Sequence, residues 1–525
     1  MRARNLAILV FPVLAAASLS LGAADGPDDL AQALALEKQM EKIIAQAEES
    51  IACILVSRSE AYRKAYPPSV PDETPALTKS FESCRRAGEL GHPDNLTDDQ
   101  RKKLKDLNED QRKKIDLSDT AAVPESFGSG IVIDKDKGLI LTNYHVVRDA
   151  VLVYVRLPGG KAGGYADIHA ADPRSDLAVL KVKSEVTSHI VRPIPFGDAD
   201  KLRRGQFVLS LANPYAAGFR DGQPSASWGI LSNIRRRAPK LLREEERVKS
   251  LHHYGTLLQM DARLNLGCSG GALLNLHGEL IGLTTSYAAI HGYDTPGGFA
   301  VPIDACFRRI LDVLKAGEEV EYGFLGVRWN VGEAAQGNGN GVKIGKAIKG
   351  SPADRAGLAA GDVICDVGGV KVHDFDDLFL YLGTQLAGTE VQLLVKKNDR
   401  DPPRMVKVTL AKMHIPGKGI FSACEKIRPF DKRGMRVEYS SMLIRSFEAI
   451  VESLPIGVLV DEVKPNSPAA QTGLRPGEVI RRVNGDEVSN PAEYKQRIDR
   501  AGAGPIQLTV SGVDPGDAVR TVILR

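Results

Sequence analysis

Cysteine is scarce in this chain: Cys53, Cys84, Cys268, Cys306, Cys365 and Cys424 are the six found in 525 residues. None stands at the short pair spacings of zinc ligands or dithiol redox motifs, so a disulfide-stapled framework is excluded and no metal ion or cofactor is expected. Export would make a bond such as Cys53 to Cys84 chemically possible, but the spacing does not require it. An excess of one charge is missing too. The 69 Lys and Arg face 66 Asp and Glu, leaving a formal net charge of +3, and nothing in that balance asks for nucleic acid. At this length one hydrophobic core does not suffice, and three or four domains are expected.

What is present begins with Arg2 and Arg4 ahead of an apolar run from Leu6 to Leu21, followed by the small residues Gly22-Ala23-Ala24. Residues 1–24 read as a secretory signal peptide, which implies a periplasmic or extracellular protein; an uncleaved membrane anchor is the alternative. Asp28 or Asp29 caps an expected helix over 25–49, with Leu30, Leu34, Met40, Ile43, Ile44 and Ala47 roughly on one face. A strand is expected at Ile51–Val56. From about 58 to 125 the chain is charged and Pro-rich, and Asp99-Gln-Arg-Lys-Lys-Leu104 recurs as Asp110-Gln-Arg-Lys-Lys-Ile115. The Lys and Arg residues there read as a solvated helix face, with docking to an acidic partner as the other reading.

Between Gly128 and about Val301 short β-rich runs alternate with turn residues, as an all-β barrel requires. His277-Gly278 reads as a hairpin turn, and a helix is expected from Ile303 to Leu314. The last two hundred residues hold an internal repeat. Ser351-Pro-Ala-Asp-Arg-Ala-Gly-Leu-Ala-Ala-Gly-Asp-Val-Ile364 returns as Ser467-Pro-Ala-Ala-Gln-Thr-Gly-Leu-Arg-Pro-Gly-Glu-Val-Ile480. Two copies of one small domain are expected, each with a short helix ending at Gly-Leu and a strand pair around Gly369 or Gly485.

Hydrolysis of a peptide bond by serine needs a base, a buried carboxylate to orient it, and backbone donors for the oxyanion. Thr142-Asn-Tyr-His-Val-Val147 offers the base, Ser175-Asp-Leu-Ala-Val-Leu180 the carboxylate and Asn265-Leu-Gly-Cys-Ser-Gly-Gly-Ala272 the nucleophile. The Gly267-Cys-Ser-Gly-Gly271 run also fits the nucleophile elbow of α/β-hydrolases. Those enzymes run Ser, acid, His along the chain and place the Ser before a helix, whereas here the order is His, Asp, Ser and a hairpin follows, with His277 and His291 too close behind.

Together with Leu211-Ala-Asn-Pro214, Gly229-Ile-Leu-Ser232 and Gly298-Phe-Ala-Val-Pro302, these motifs resemble the trypsin-like proteases of the high-temperature-requirement A (HtrA) family. The resemblance runs from about Ala52 to the C-terminus, with about Ser57 to Glu125 unmatched. It implies a mainly β fold: a trypsin-like double β-barrel over 50–315 with a charged insertion, and two α+β PDZ-type domains at 322–412 and 434–525. It also implies a serine endopeptidase of unfolded or damaged proteins with His145, Asp176 and Ser269 as triad, and with the N–H groups of Gly267 and Ser269 as oxyanion donors. Trypsin-like enzymes that cut after a basic residue carry an acid six positions before the Ser. Here Arg263 stands there, so a small or medium apolar residue is expected, lined by Leu264 and the Thr284–Phe299 region.

Tyr322-Gly-Phe-Leu-Gly-Val327 looks like a PDZ carboxylate-binding loop and its strand, with Gly323, Phe324 and Leu325 as the candidate donors to peptide C-termini. In the second copy Gly434-Met-Arg-Val-Glu-Tyr439 lies at the equivalent strand with a degraded loop. The family implies a homo-oligomer, a trimer or a multiple of trimers. One departure stands out: Cys268 replaces the family's Asn, which keeps open a non-cleaving chaperone or peptide-binding scaffold, and also oxidation-sensitivity of the oxyanion turn.

Overall fold

The computed structural model describes residues 27–59, 108, 110–111, 116–122, 124–159, 163–190, 193–237, 250–286, 297–329, 341–397, 402–415, 423–424, 429–444, 452–502, 504–513 and 517–525. The expected signal peptide, Cys84, His291 and nearly all of the charged insertion lie outside these residues. Two units are formed, one ending at Lys42 and one beginning at Ile43. Helix α1 spans Pro27–Ala47, close to the expected range. Among the described residues no helix is long and apolar enough to cross a membrane.

In the second unit, strands β1 (Ile51–Ser57), β2 (Ser126–Asp134), β3 (Leu139–Asn143), β4 (Leu152–Arg156), β5 (Gly163–Tyr165), β6 (Asp167–Asp172) and β7 (Leu177–Lys181) belong to one antiparallel sheet. All seven residues of β1 are buried, because the strand feeds two cores. Ala52, Ile54 and Val56 enter one cluster and Cys53 and Leu55 another, following the two-residue period of a strand. Cys53 carries a free thiol, and burial pushes its pKa up to about 12.

Strands β8 (Phe207–Ala212), β9 (Ser225–Arg236), β10 (Leu257–Met260), β11 (Ala272–Leu274), β12 (Leu280–Thr285) and β13 (Gly298–Pro302) close into a barrel. His277-Gly278 turns between β11 and β12 as expected, with Gly278 N–H donating to the Asn275 carbonyl. The short helix α2 (Tyr144–Val147) follows β3. Helix α3 (Ala305–Lys315) closes this part of the chain. The Asp304 side chain caps it by accepting from Phe307 N, and Phe307, Ile310, Leu311 and Leu314 form the buried stripe that the 3.6-residue period demands.

The repeat folds as two like sheets. The first contains β15 (Val327–Trp329), β16 (Val342–Ala347), β17 (Val363–Val367), β18 (Val370–Lys371), β19 (Glu390–Lys396) and β20 (Arg404–Thr409), beside a two-stranded pair of β14 (Gly323–Phe324) and β21 (Ala411–Lys412). Helix α4 (Phe375–Tyr381) lies between β18 and β19 in the chain. A two-residue strand β22 (Ala423–Cys424) then pairs with β6 of the first sheet. The second copy holds β23 (Met435–Tyr439), β24 (Val458–Val463), β25 (Val479–Val483), β26 (Asp486–Glu487), β27 (Ile506–Ser511) and β28 (Arg520–Leu524), in the same order as its counterpart. The copies share a detail that sequence alone misplaced. Gly326 and Gly434 have φ of +86° and +83°, and a Cβ on either would collide with the capping Ser351 or Ser467. Ala353 N donates to the Leu325 carbonyl, and Ala469 N to that of Arg433. The loop glycine of the first copy is therefore Gly326.

A buried cation ties this unit together. Lys412, 6% exposed, places its ammonium 2.5 Å from Glu438, 2.9 Å from Glu321 and 3.6 Å from Glu319. Burial opposes its charge, yet the three carboxylates overcome this and raise its pKa. Removing one partner of a buried ion pair typically costs about 3–5 kcal/mol, because the other charges stay behind unmatched. Lys412→Met is expected to lower unfolding stability by that order, read as a fall in the urea midpoint followed by intrinsic fluorescence.

Candidate active site

The structure brings the three sequence segments together. β3 runs into α2, whose second residue is His145, and the loop from β6 to β7 carries Asp176. Asp176 has a left-handed φ of +57°. That conformation is strained for a non-glycine residue, and it is held by Tyr144 N donating to the Asp176 carbonyl at 3.0 Å and Asn143 Nδ2 at 3.1 Å. The carboxylate is thereby aimed at His145. Nδ1 lies 3.0 Å from Oδ1 and 2.8 Å from Oδ2, and His145 N–H adds a 3.0 Å bond to Oδ1. Burial pushes the Asp176 pKa up most strongly. The His145 charge and hydrogen bonds, with a smaller influence from His252, outweigh it and leave the carboxyl below its ordinary range.

Ser269 sits in the turn before β11 and is 4% exposed. Its Oγ accepts from Ser286 N at 3.0 Å, and its carbonyl accepts from Ser129 N at 2.8 Å. One glycine on β2 lies against both the helix that carries the base and the turn that carries the nucleophile. A Cβ on Gly128 would lie 2.5 Å from Val146, the residue after His145, and 3.3 Å from the Ser269 carbonyl oxygen. Gly270 has φ of +88°, and a Cβ there would strike the Ser129 carbonyl, so the turn admits no side chain at that point. The N–H groups of Cys268, Gly270 and Gly271 are bonded to the carbonyls of Asn265, Thr284 and Cys268. Among the described residues no acceptor takes the N–H of Gly267 or Ser269. Cys268 itself is buried, Asn265 N donates to its Sγ at 3.4 Å, and burial raises its pKa. Such a thiol is inert rather than reactive.

Arg263 is exposed, whereas Leu264 is half-buried against Gly298. Much of the Thr284–Phe299 region lies outside the described residues. Of the expected carboxylate donors, Gly323 is corrected: its N–H is taken by the Gln385 carbonyl at 2.7 Å. The reading centred on Gly323 fails because the left-handed loop glycine is Gly326, and Phe324 is spent as well, since it pairs with Ala411 in the ladder of β14 and β21, which leaves Leu325 as the candidate ahead of Gly326. Among the described residues no cluster of acidic, His or Cys side chains could hold a metal ion.

Two supports went unnoticed in the sequence. Arg58 donates from Nε to the Arg148 carbonyl and from Nη2 to that of Val146, each at 2.8 Å, pinning the far end of α2. His252 is fully buried. Its Nε2 bonds the Ser175 carbonyl at 3.1 Å and its Nδ1 lies 2.9 Å from Thr256 Oγ1. Nothing but a Leu-His-His-Tyr context marked it among ten histidines.

The chain matches a family model described as a trypsin-like peptidase domain over residues 128–283 and two described as PDZ domains over 323–408 and 459–511. It is similar to the periplasmic pH-dependent serine endoprotease DegQ of Escherichia coli, 32% identical over 390 residues, which are 73% of this chain and 77% of DegQ. It is also similar to the periplasmic serine endoprotease DegP of Salmonella typhimurium, 30% identical over 71% of this chain and 72% of that one.

Burial lowers the His252 pKa from 6.5 to about 4. A histidine kept neutral in the folded state contributes stability that is complete above its unfolded pKa and is lost as pH falls toward the folded value. Between pH 7 and pH 5 the protein is expected to lose about 2 kcal/mol more stability than His252→Gln. Urea titrations of both proteins at the two pH values measure this difference.

Proposed function

The chain belongs to the HtrA family of serine endopeptidases, and from that premise we propose that His145, Asp176 and Ser269 form its triad. The observation that carries the proposal is the buried Asp176 carboxylate gripping His145 Nδ1 with both oxygens. In that grip the imidazole presents Nε2 as base. Nε2 takes the proton of Ser269 Oγ while Oγ attacks the scissile carbonyl, and Asp176 stabilises the imidazolium that results. The proton then passes to the leaving amine, and water repeats the sequence on the acyl-enzyme. Gly267 and Ser269 N–H groups receive the oxyanion, each donor typically worth about 3–4 kcal/mol.

The substrates are unfolded or damaged proteins outside the cytoplasm, in the periplasm as for DegP and DegQ, with the half-buried Leu264 favouring an apolar residue before the cut. The loop at Leu325, ahead of Gly326, holds a peptide C-terminus, its backbone N–H meeting a carboxylate. The second copy differs there. Arg433 replaces Leu325 and is buried, donating to the carbonyls of Gly502 and Gly504, so assembly suits it better than peptide binding. A homo-oligomer built on trimers is part of the same proposal. The bonded turn around Cys268 favours cleavage over a non-cleaving scaffold.

Ser269→Ala is expected to lower casein turnover by a factor of about 10⁴–10⁶ while leaving the fold intact by circular dichroism; turnover near that of the unaltered protein would exclude the triad. A peptide with an apolar C-terminal residue and a free carboxylate is expected to bind the full chain more tightly than its amidated form. Equal affinities in calorimetry would remove the carboxylate loop.

A further inference from the structure

Asp172, at the end of β6, is 1% exposed. Its Oδ2 accepts three hydrogen bonds: from Ser175 N at 2.9 Å, from Ser175 Oγ at 2.7 Å and from the phenol of Tyr322 at 2.6 Å. Tyr322 is wholly buried and lies 150 residues further along the chain, immediately before β14. The guanidinium of buried Arg174 covers its ring at 4.8 Å and reaches the Gly383 carbonyl and Met413 Sδ. The Tyr322 carbonyl accepts from Met413 N at 2.7 Å. The far side of the same turn is held by Leu251 N on the Arg174 carbonyl and by His252 on the Ser175 carbonyl.

We propose that Tyr322 and Asp172 are positioning residues for peptide hydrolysis. The phenol fixes the Asp172 carboxylate, the carboxylate fixes Ser175, and Ser175 sets the left-handed Asp176 that orients His145. A strained residue keeps its conformation only while its surroundings over-determine it, and here one of the determining bonds comes from the threshold of the first PDZ-type unit. Neither residue touches substrate, so losing the hydroxyl loosens the base without weakening substrate binding. The inference rests on the triad reading.

The test uses the full chain with Tyr322→Phe, Ser175→Ala and the double variant, assayed at a temperature where circular dichroism shows each folded. Two readouts are a kcat and KM split on a quenched fluorescent peptide and the rate at which a fluorophosphonate labels Ser269. Each single variant is expected to lose kcat by roughly ten- to a hundredfold, as a misplacement near 1 Å does, with KM unchanged and labelling slowed in step. The double variant is expected to be no slower than the slower single, because both bonds act through one carboxylate. Unchanged kcat in either single, a rise in KM alone, or losses that multiply in the double variant would overturn the proposal. Should Tyr322→Phe not fold, Ser175→Ala decides alone, since full kcat and full labelling there would break the route. Turnover by Ser269→Ala would sink the triad reading itself, whereas an inert Ser269→Ala beside a fully active Tyr322→Phe sinks only this inference.

Discussion

A carboxylate removed from water stays ionised only if donors or a cation replace the solvent it has lost, and the architecture around Asp176 follows from meeting that condition. The main-chain N–H and imidazole of His145 supply its oxygens directly, and α2 has to begin where it does for both to reach. The strained backbone beneath is held by Asn143 and Tyr144, which both donate to the Asp176 carbonyl. The sheet that carries β3 and β7 as neighbours, in the register Asn143 opposite Leu177, is what brings these residues within reach.

Much of this was readable from the chain because the proposed chemistry uses local motifs. The residues flanking His145, Asp176 and Ser269 carry their roles in a few neighbours each, and strand and turn signals around them point to short antiparallel strands. The repeat was legible for a similar reason. Ser351 and Ser467 cap short helices, and Gly369 and Gly485 turn hairpins at corresponding places. What stayed hidden depends on distance along the chain. Lys412 looks like any surface lysine until Glu319, Glu321 and Glu438 converge on it, and Arg58 has no local pattern tying it to α2. The misplaced loop at Gly323 has a different origin. Two glycines stand three residues apart, and only the backbone angle and the serine behind Gly326 tell them apart.

The two repeats show how far one frame can diverge in use. Their strand orders, caps and left-handed loop glycines agree, so the fold constraints are the same. At the position before that glycine, one has an apolar Leu325 and the other a buried Arg433 whose guanidinium donates to the carbonyls of Gly502 and Gly504. A loop that carries a buried arginine has a different electrostatic character from one that carries leucine.

The two-residue strand β22 lies in the segment joining the repeats, yet it pairs with Ala170 and Ala171 on β6. Those residues directly precede Asp172. The connector between the two binding modules is thus also the outermost rung of the hydrolase sheet. Shuffling modules by cutting between them would therefore not be a neutral exchange of cassettes. It would strip a rung from the enzyme and bare a row of amide and carbonyl groups where another chain could add itself.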